Sequence, residues 1–398
     1  MIVFAALLPA YFLSIFYRSF LSVIAQPVMA DLGIGPREFG TLGAAWFLAF
    51  AVAQFPVGWA FDRYGPRWTV AGAMALGTLG AFLFAGATGA VSATLAMALI
   101  GIGCSPIFMA SLFMFARTQA PARFAMLSSA FIGLGSLGNL VGAAPLAIAA
   151  AHWGWRPSMT AAAIALLAAT LLAALLLRDP PRVETGAGRT EGLLQGLASI
   201  ASVRPLWLLF PITFVGYAIV ATARGLWIAP FMSDVHGLDP VSSGHAASAM
   251  ALAMVAGAFL YGGLEKAIGD IKPLVLWGTV VTGLLFALLA LFGASSTLFA
   301  IALFTLIGAT GFTYAILMAH ARLFFPPHLT GRGMTFLNFL FIAGAAAIQS
   351  GSGWLIATQR QAGDSAAATF STLHWVFAAL LLGTAALYAL APRKPAAG

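Results

Sequence analysis

Apolar runs of about 20 residues recur from one end of this chain to the other, and each is long enough to cross ~30 Å of hydrocarbon as a helix. Lipid offers no partner to a backbone N–H or C=O, so a spanning segment is either a helix or part of a closed barrel. Barrel strands alternate apolar and polar positions over roughly ten residues. Here the runs are apolar without alternation, as between Met159 and Leu177, and helices are the consistent solution. Composition agrees: 61% of the 398 residues are hydrophobic and 8% are charged, against about 25% charge in a soluble domain. The expected fold class is all-α integral membrane, with twelve spans near 4–30, 41–61, 68–88, 92–116, 124–150, 159–177, 205–230, 243–263, 274–293, 296–319, 333–356 and 371–391.

The net charge of +8 is distributed by topology. With the start of the first span on the inner side, the inner connections carry Arg63, Arg67, Arg117, Arg123, Arg178, Arg182, Arg189, Arg204, Lys266, Lys272, Arg322, Arg332, Arg393 and Lys394. The outer connections carry Arg37, Arg156 and Arg360. That asymmetry is the positive-inside rule. It predicts a multi-pass protein of a bacterial-type inner membrane with both termini cytoplasmic, and it accounts for the basic balance without a nucleic-acid partner. Met1 runs into an apolar stretch with no basic n-region, so the first helix is expected to be retained. The lone Cys104 permits no internal disulfide.

One long polar connection, Arg178 to Arg204, reads as a flexible charged linker. It divides the chain into a six-helix bundle over 1–177, a cytoplasmic linker over 178–204 and a second six-helix bundle over 205–398. The halves share spacings. Tyr11 lies seven residues before Arg18 and Tyr217 seven before Arg224, each in the first helix of its half, with Pro27 and Pro230 following. Gly58, Asp62, Arg63, Gly65 and Arg67 correspond loosely to Gly262, Glu265, Lys266, Gly269 and Lys272. Parallel repeats of this kind put a substrate site near the midplane between them.

The run from Gly58 to Arg67, Gly-Trp-Ala-Phe-Asp-Arg-Tyr-Gly-Pro-Arg, resembles the signature of the major facilitator superfamily between helices 2 and 3. Gly58 suits close helix packing and Gly65 a tight turn. Asp62 can face a positive helix N-terminus, while Arg63 and Arg67 hold the loop inside. The resemblance implies a gating role for Gly58, Asp62, Arg63, Gly65 and Arg67, and the two-bundle fold of that superfamily. Tyr17 to Val23, Asp31-Leu32-Gly33, Gln54 to Gly58, Gly101-Ile102-Gly103, Ala120 to Arg123 and Gly154-Trp155-Arg156 look like the organic anion–cation symporters. An arginine pair on the first helix of each half also resembles the organophosphate–phosphate exchangers.

Arg18 and Arg224 are the two charged residues expected within hydrocarbon, at about 2.5–3.5 kcal/mol each on insertion scales. Two guanidinium forks at equivalent places suit a carboxylate or phosphoryl group. Snorkelling toward an interface is the alternative for each. No acid falls at depth: Asp31, Glu38, Asp62, Asp179, Glu184, Glu191, Asp234, Asp239, Glu265, Asp270 and Asp364 all fall in connections or at helix ends. Tyr17 stands where the proton-coupled anion symporters usually carry an acid, and Cys104 where they often carry another. Helical spacing groups Tyr11, Ser14, Arg18 and Ser22 on one face, and Tyr217, Val220, Arg224 and Ile228 on another. Asn139, Gln349 and Tyr314 could line a cavity or make interhelical hydrogen bonds. His245 and His320 read as boundary histidines, and the glycines of 133–138 as a packing face.

These residues predict transport of a small organic anion, a carboxylate or phosphorylated metabolite, by alternating access. The substrate-binding set is Arg18, Arg224, Tyr11, Tyr17, Ser14, Tyr217, Asn139, Gln349 and Tyr314. Exchange is favoured over carboxylate-based proton symport. A multidrug or metabolite exporter of the same fold, and a proton-coupled symporter using a non-carboxylate proton site, are the alternatives. A membrane sensor or an intramembrane enzyme is a further alternative class. Metal-ligand spacings and nucleophile triads are absent, so no enzyme activity, metal or cofactor is expected; the partners are the solute and the bilayer, for a monomer.

Overall fold

The computed structural model describes residues 2–118, 121–179, 203–325 and 330–393, and every regular element among them is helical. Eleven helices are long and apolar enough to cross a membrane, and a pair bent by 54°, Val3–Tyr17 with Phe20–Leu32, makes a twelfth span. In chain order the spans are helix 1 (Ile2–Tyr17, then Phe20–Ile24 and Ala25–Leu32), helix 2 (Pro36–Tyr64), helix 3 (Pro66–Ala85) and helix 4 (Ala90–Cys104, Ile107–Thr118). Helix 5 follows (Pro121–Val141, Ala144–Trp153), then helix 6 (Trp155–Leu176), helix 7 (Phe210–Thr222, Ala223–Trp227, Ile228–His236) and helix 8 (Pro240–Ile268). Helix 9 (Ile271–Phe292), helix 10 (Thr297–Thr310, Tyr314–Arg322), helix 11 (Thr330–Gln361) and helix 12 (Ala366–Ala389) complete the set.

The spans agree with the apolar runs to within a few residues at most ends. Helix 7 reaches His236 rather than 230, and helix 11 reaches Gln361 rather than 356. Hydropathy misses these ends because they carry Asp234 and Arg360, which form an ion pair with each other. Prolines open helices 2, 3 and 8 at Pro36, Pro66 and Pro240, where the missing N–H is no loss and φ is already helical.

Twelve crossings put both ends of the described chain on one face, the termini face. The halves repeat in structure as well as in sequence. The glycines with positive φ are Gly33, Gly65, Gly154, Gly237, Gly269 and Gly363. They fall into three matched pairs, after helices 1 and 7, after helices 2 and 8, and after helices 5 and 11. The starts of helices 3 and 9 match too. Arg67 Nε and Nη2 donate to the Ala174 carbonyl of helix 6 at 3.0 and 2.7 Å. Lys272 Nζ donates to the carbonyls of Ala389 and Ala391 at the end of helix 12, at 2.7 and 2.6 Å.

Helix association in lipid depends on close backbone approach rather than on burial of oily surface. Glycines supply it. A Cβ on Gly138 would collide with the Phe12 carbonyl, one on Gly257 with the Ala309 carbonyl, and one on Gly344 with the Phe214 carbonyl. The packing face expected in helix 5 is therefore real at Gly135 and Gly138, which meet helix 1. Gly133 has nothing near it. Outward, large apolar side chains such as Phe259, Leu298 and Leu95 are exposed, as a lipid-facing wall requires.

Contact between the halves is concentrated on the face opposite the termini. There Gly40 of helix 2 and Gly353 of helix 11 touch backbone to backbone. Gln26 Nε2 of helix 1 donates to Asp234 Oδ1 of helix 7 at 2.5 Å, and Asp234 also pairs with Arg360. The Ala144 N–H in helix 5 donates to Ser248 Oγ of helix 8 at 3.1 Å. Toward the termini face, Phe55 and Phe339 approach across the halves with ring centroids 5.7 Å apart. Among the described residues, the hydrogen bonds between halves all lie at mid-depth or beyond it, away from the termini.

Candidate functional site

The interruptions in helices 1, 4, 7 and 10 converge at mid-depth, and helix 5 is interrupted as well, at Gly142–Ala143. Helix 1 breaks at Arg18 and Ser19, helix 4 between Cys104 and Ile107, helix 10 between Thr310 and Tyr314, and helix 7 contains a π-turn at Ala223–Trp227. Helices 1, 4, 7 and 10 each begin a successive triplet of spans. Irregular backbone at membrane depth is tolerated where protein or a cavity covers it, and π-turns inside helices occur frequently at functional sites. Partners for the freed groups are visible: Gln54 Nε2 of helix 2 donates to the Ser105 carbonyl at 3.3 Å.

Both arginines sit in these irregular turns. Arg224 lies within the π-turn, is 3% exposed, and donates from Nη2 to Asn139 Oδ1 of helix 5 across the halves at 3.0 Å. Arg18 stands at the break in helix 1, with its guanidinium carbon 5.3 Å from the Trp46 ring and 5.6 Å from the Phe50 ring of helix 2. Such cation–π contacts recover roughly 0.5–2 kcal/mol each, part of the 2.5–3.5 kcal/mol that each buried charge costs. The two turns touch: the Arg18 carbonyl lies 3.5 Å from where a Cβ on Gly225 would stand. The charges of Arg18 and Arg224 act on each other, and no carboxylate pairs with either among the described side chains. The Nε atoms of both, with Tyr17 Oη, Ser22 Oγ and Thr222 Oγ1, are buried without a hydrogen-bond partner.

The break changes one sequence expectation. Ser22 does not share an α-helical face with Tyr11, Ser14 and Arg18, because the chain turns at Arg18–Ser19 and continues as a 3₁₀ segment. The π-turn likewise offsets Ile228 from Arg224 and Tyr217. Ser14 is buried and turns to the Cys104 thiol. Tyr17 is 1% exposed, wedged between the Phe16 and Phe20 rings.

Tyr11 of the first half and Tyr217 and Tyr314 of the second lie in the same region as Arg18. The Tyr217 and Tyr314 ring centroids are 6.3 Å apart. Tyr314 Oη donates to Asn338 Oδ1 of helix 11 at 3.0 Å. Gln349 is buried against Gly43 of helix 2, its Oε1 without a hydrogen-bond partner. Asn139 and Tyr314 thus make the interhelical bonds left open in the sequence, while Gln349 packs between halves. Asn338 was missed, although it shares a helical face with Phe341 and Gln349. Trp46, Phe50 and Cys104 were also missed as neighbours of Arg18, since they come from other helices. His245 is exposed. His320 lies in the last turn of helix 10, near the span end as expected, and is buried there with Nδ1 2.6 Å from Tyr388 Oη.

In the loop expected to gate, Arg63 lies over the Trp59 ring with its guanidinium carbon at 5.8 Å, and the Asp62 side chain lies outside the described residues. The acid found at the N-terminus of helix 3 is Asp179, whose Oδ1 accepts from the Arg67 N–H at 2.8 Å. Sequence placed Asp179 in the linker; residues 180–202 of that linker lie outside the described set. Gly65, at φ 84°, is doubly constrained, because a Cβ there would also stand 2.7 Å from the Asp179 carboxyl. Asp179→Ala is expected to cost about 1 kcal/mol, the usual worth of a carboxylate on free helix N–H groups. A drop in the thermal midpoint of the detergent-solubilised protein, absent in the exposed Asp364→Ala, is the check.

The comparisons with known proteins match this architecture. The family model described as Major Facilitator Superfamily covers residues 7–228. An uncharacterized transporter, YybO of Bacillus subtilis (strain 168), is 22% identical over 248 residues, which is 58% of this chain and 57% of that protein. The membrane sensor protein UhpC of Salmonella typhimurium is 25% identical over 279 residues, 63% of this chain and 61% of its own length. The chain therefore spans under two thirds of the length of these curated relatives. Among solved structures, a bacterial homolog to the human lysosomal transporter Spinster, inward-facing and occupied, superposes with TM-score 0.79 at 16% identity, covering 98% of this chain and 96% of that one. The nucleoside transporter NupG superposes with TM-score 0.79 at 13% identity, covering 97% and 99%. With a family match over more than half of its length, and that fold over nearly all of it, this chain belongs to the Major Facilitator Superfamily of multi-pass membrane transporters.

Proposed function

We propose that the chain transports a small organic anion by alternating access, with Arg18 and Arg224 as its charged ligands and Tyr11, Ser14, Tyr17, Tyr217, Asn139, Tyr314 and Gln349 shaping or supporting the site. One observation carries the reading. Two like charges occupy touching turns at mid-depth, their Nε atoms unpartnered, with no carboxylate beside them among the described side chains. An anion bridging them supplies the missing countercharge in a low-dielectric setting, where such pairing is strongest.

The arginine asymmetry of the connections supports cytoplasmic termini. On that orientation the contacts through Gly40–Gly353 and Asp234 close the outward face. The loop of Gly58, Asp62, Arg63, Gly65 and Arg67 belongs to the opposite gate, with Arg67 anchoring helix 3 to helix 6. Each half, 1–177 and 205–398, moves as a unit about the contact between the helix 1 break and the helix 7 π-turn. The acidic residues lie in connections and at helix ends, which favours exchange of one anion for another over proton symport through a carboxylate.

Counterflow in proteoliposomes preloaded with carboxylates or phosphate esters tests the proposal. Uptake of labelled anion is expected only against an internal anion, and an imposed inward proton gradient is expected to leave its initial rate unchanged. Strong acceleration by the gradient would transfer the reading to a proton-coupled symporter with a non-carboxylate site. Transport of cationic drugs, with none of anions, would make it an exporter. The name of the second relative favours a sensing role, which predicts anion binding without counterflow.

A further inference from the structure

The walls beside the arginine pair are aromatic, and their arrangement says what the rest of the anion looks like. Two turns of helix separate Arg18 from Tyr11, and Arg224 from Tyr217, in each case toward the termini face. Tyr11 stacks on Phe131 with centroids 4.8 Å apart at 15° and on Phe108 at 5.4 Å and 27°. In the other half Tyr217 stacks on Phe341 at 4.1 Å and 25°, and Tyr314 adjoins the same ring at 3.7 Å. Phe108, Tyr217 and Tyr314 keep partial exposure. Asn139 Oδ1 accepts from Arg224 and Asn338 Oδ1 from Tyr314, while Gln349 Oε1 has no hydrogen-bond partner.

We infer that the cargo is a carboxylate carried on a planar aromatic body, its head at Arg18 and Arg224 and its ring between the Tyr11 and Tyr217 stacks. This deepens the anion reading and rests on it. Aromatic pairs gain about 0.5–1.5 kcal/mol beyond area burial when offset-stacked or edge-to-face, a gain that a puckered saturated ring of similar size forgoes. A hydroxyl-rich body gains nothing from these ring faces, and any of its hydroxyls buried there without a partner is penalised. Gly135 makes the N-terminal stack possible, because a Cβ there would strike the Tyr11 ring.

Calorimetric titration of the purified full chain with 2-naphthoate, its fully saturated decahydro analogue, succinate and glycerol 3-phosphate tests the inference. About tenfold tighter binding of 2-naphthoate than of the saturated acid is expected, the effect of roughly 1.4 kcal/mol, with succinate and glycerol 3-phosphate weaker still. Tyr217→Leu and Phe108→Leu are expected to bring the affinities of the two bicyclic acids together. Equal affinities in the wild type, no binding of 2-naphthoate, or preference for glycerol 3-phosphate overturns the aromatic assignment and leaves the anion reading standing. Undiminished 2-naphthoate binding in Arg224→Ala overturns both.

Discussion

Arg224→Ala is expected to lower anion counterflow by a factor of ten to several hundred while leaving the protein folded, and in detergent more heat-stable than the wild type. The first part follows from the charged hydrogen bonds lost with the guanidinium, about 1.5–3 kcal/mol for each such bond, at 1.4 kcal/mol per tenfold. The second follows from burial. Arg224 is 3% exposed with an unpartnered Nε, and removing an intramembrane charge recovers part of about 2.5–3.5 kcal/mol. Arg224→Lys keeps the charge but not the fork, and should retain more activity than alanine. Arg18→Ala is expected to match Arg224→Ala in transport with less gain in stability, since its charge already lies over Trp46 and Phe50. Wild-type counterflow in both alanine variants would remove the arginine pair from the mechanism.

Gly40→Leu is expected to abolish closure on the face opposite the termini. A Cβ at this position would stand 2.7 Å from the Gln349 carbonyl oxygen and 2.8 Å from the Gly353 Cα, all backbone that cannot swing aside as a side chain could. Overpacking a tight contact costs roughly 1–3 kcal/mol. Here the molecule can avoid that cost by populating the conformation in which helices 2 and 11 part. A penalty of that size shifts a two-state population about five- to more than a hundredfold. Spin labels at Thr41 and Thr358, both exposed near this contact, on a Cys104→Ser background, should move from a short to a long separation, with counterflow falling at least tenfold because one half-cycle is blocked. An unchanged distance distribution would show that Gly40–Gly353 is not a moving contact.

Sequence carried the spans well because hydrocarbon selects them one at a time: length and apolarity are local properties, and prolines and glycines mark their ends. It carried the arginine pair because charge at depth is conspicuous. It did not carry what depends on a neighbour. No glycine or proline stands at Arg18 or Ser19 to announce the break in helix 1; the local signal lies across the interface at Gly225, where the missing side chain admits the Arg18 carbonyl. Pro106 and Gly311 were available markers for the breaks in helices 4 and 10. Asp179 looked like linker because nothing local distinguishes an acid that docks from one that is solvated. Asn338 lay hidden in an apolar helix until Tyr314 was placed beside it.

Two positive-φ glycines give this molecule an internal calibration. Gly65 and Gly154 hold nearly the same backbone angles, φ 84° and ψ 163° against φ 87° and ψ 158°. At Gly154 an added methyl meets only Pro157 Cδ at an ordinary 3.7 Å, whereas at Gly65 it meets the Asp179 carboxyl. Alanine at Gly154 therefore measures the torsional penalty alone, on the order of 1–3 kcal/mol. Subtracting it from the effect of alanine at Gly65 isolates the steric and electrostatic worth of a single carboxylate, read within one polypeptide and one lipid environment.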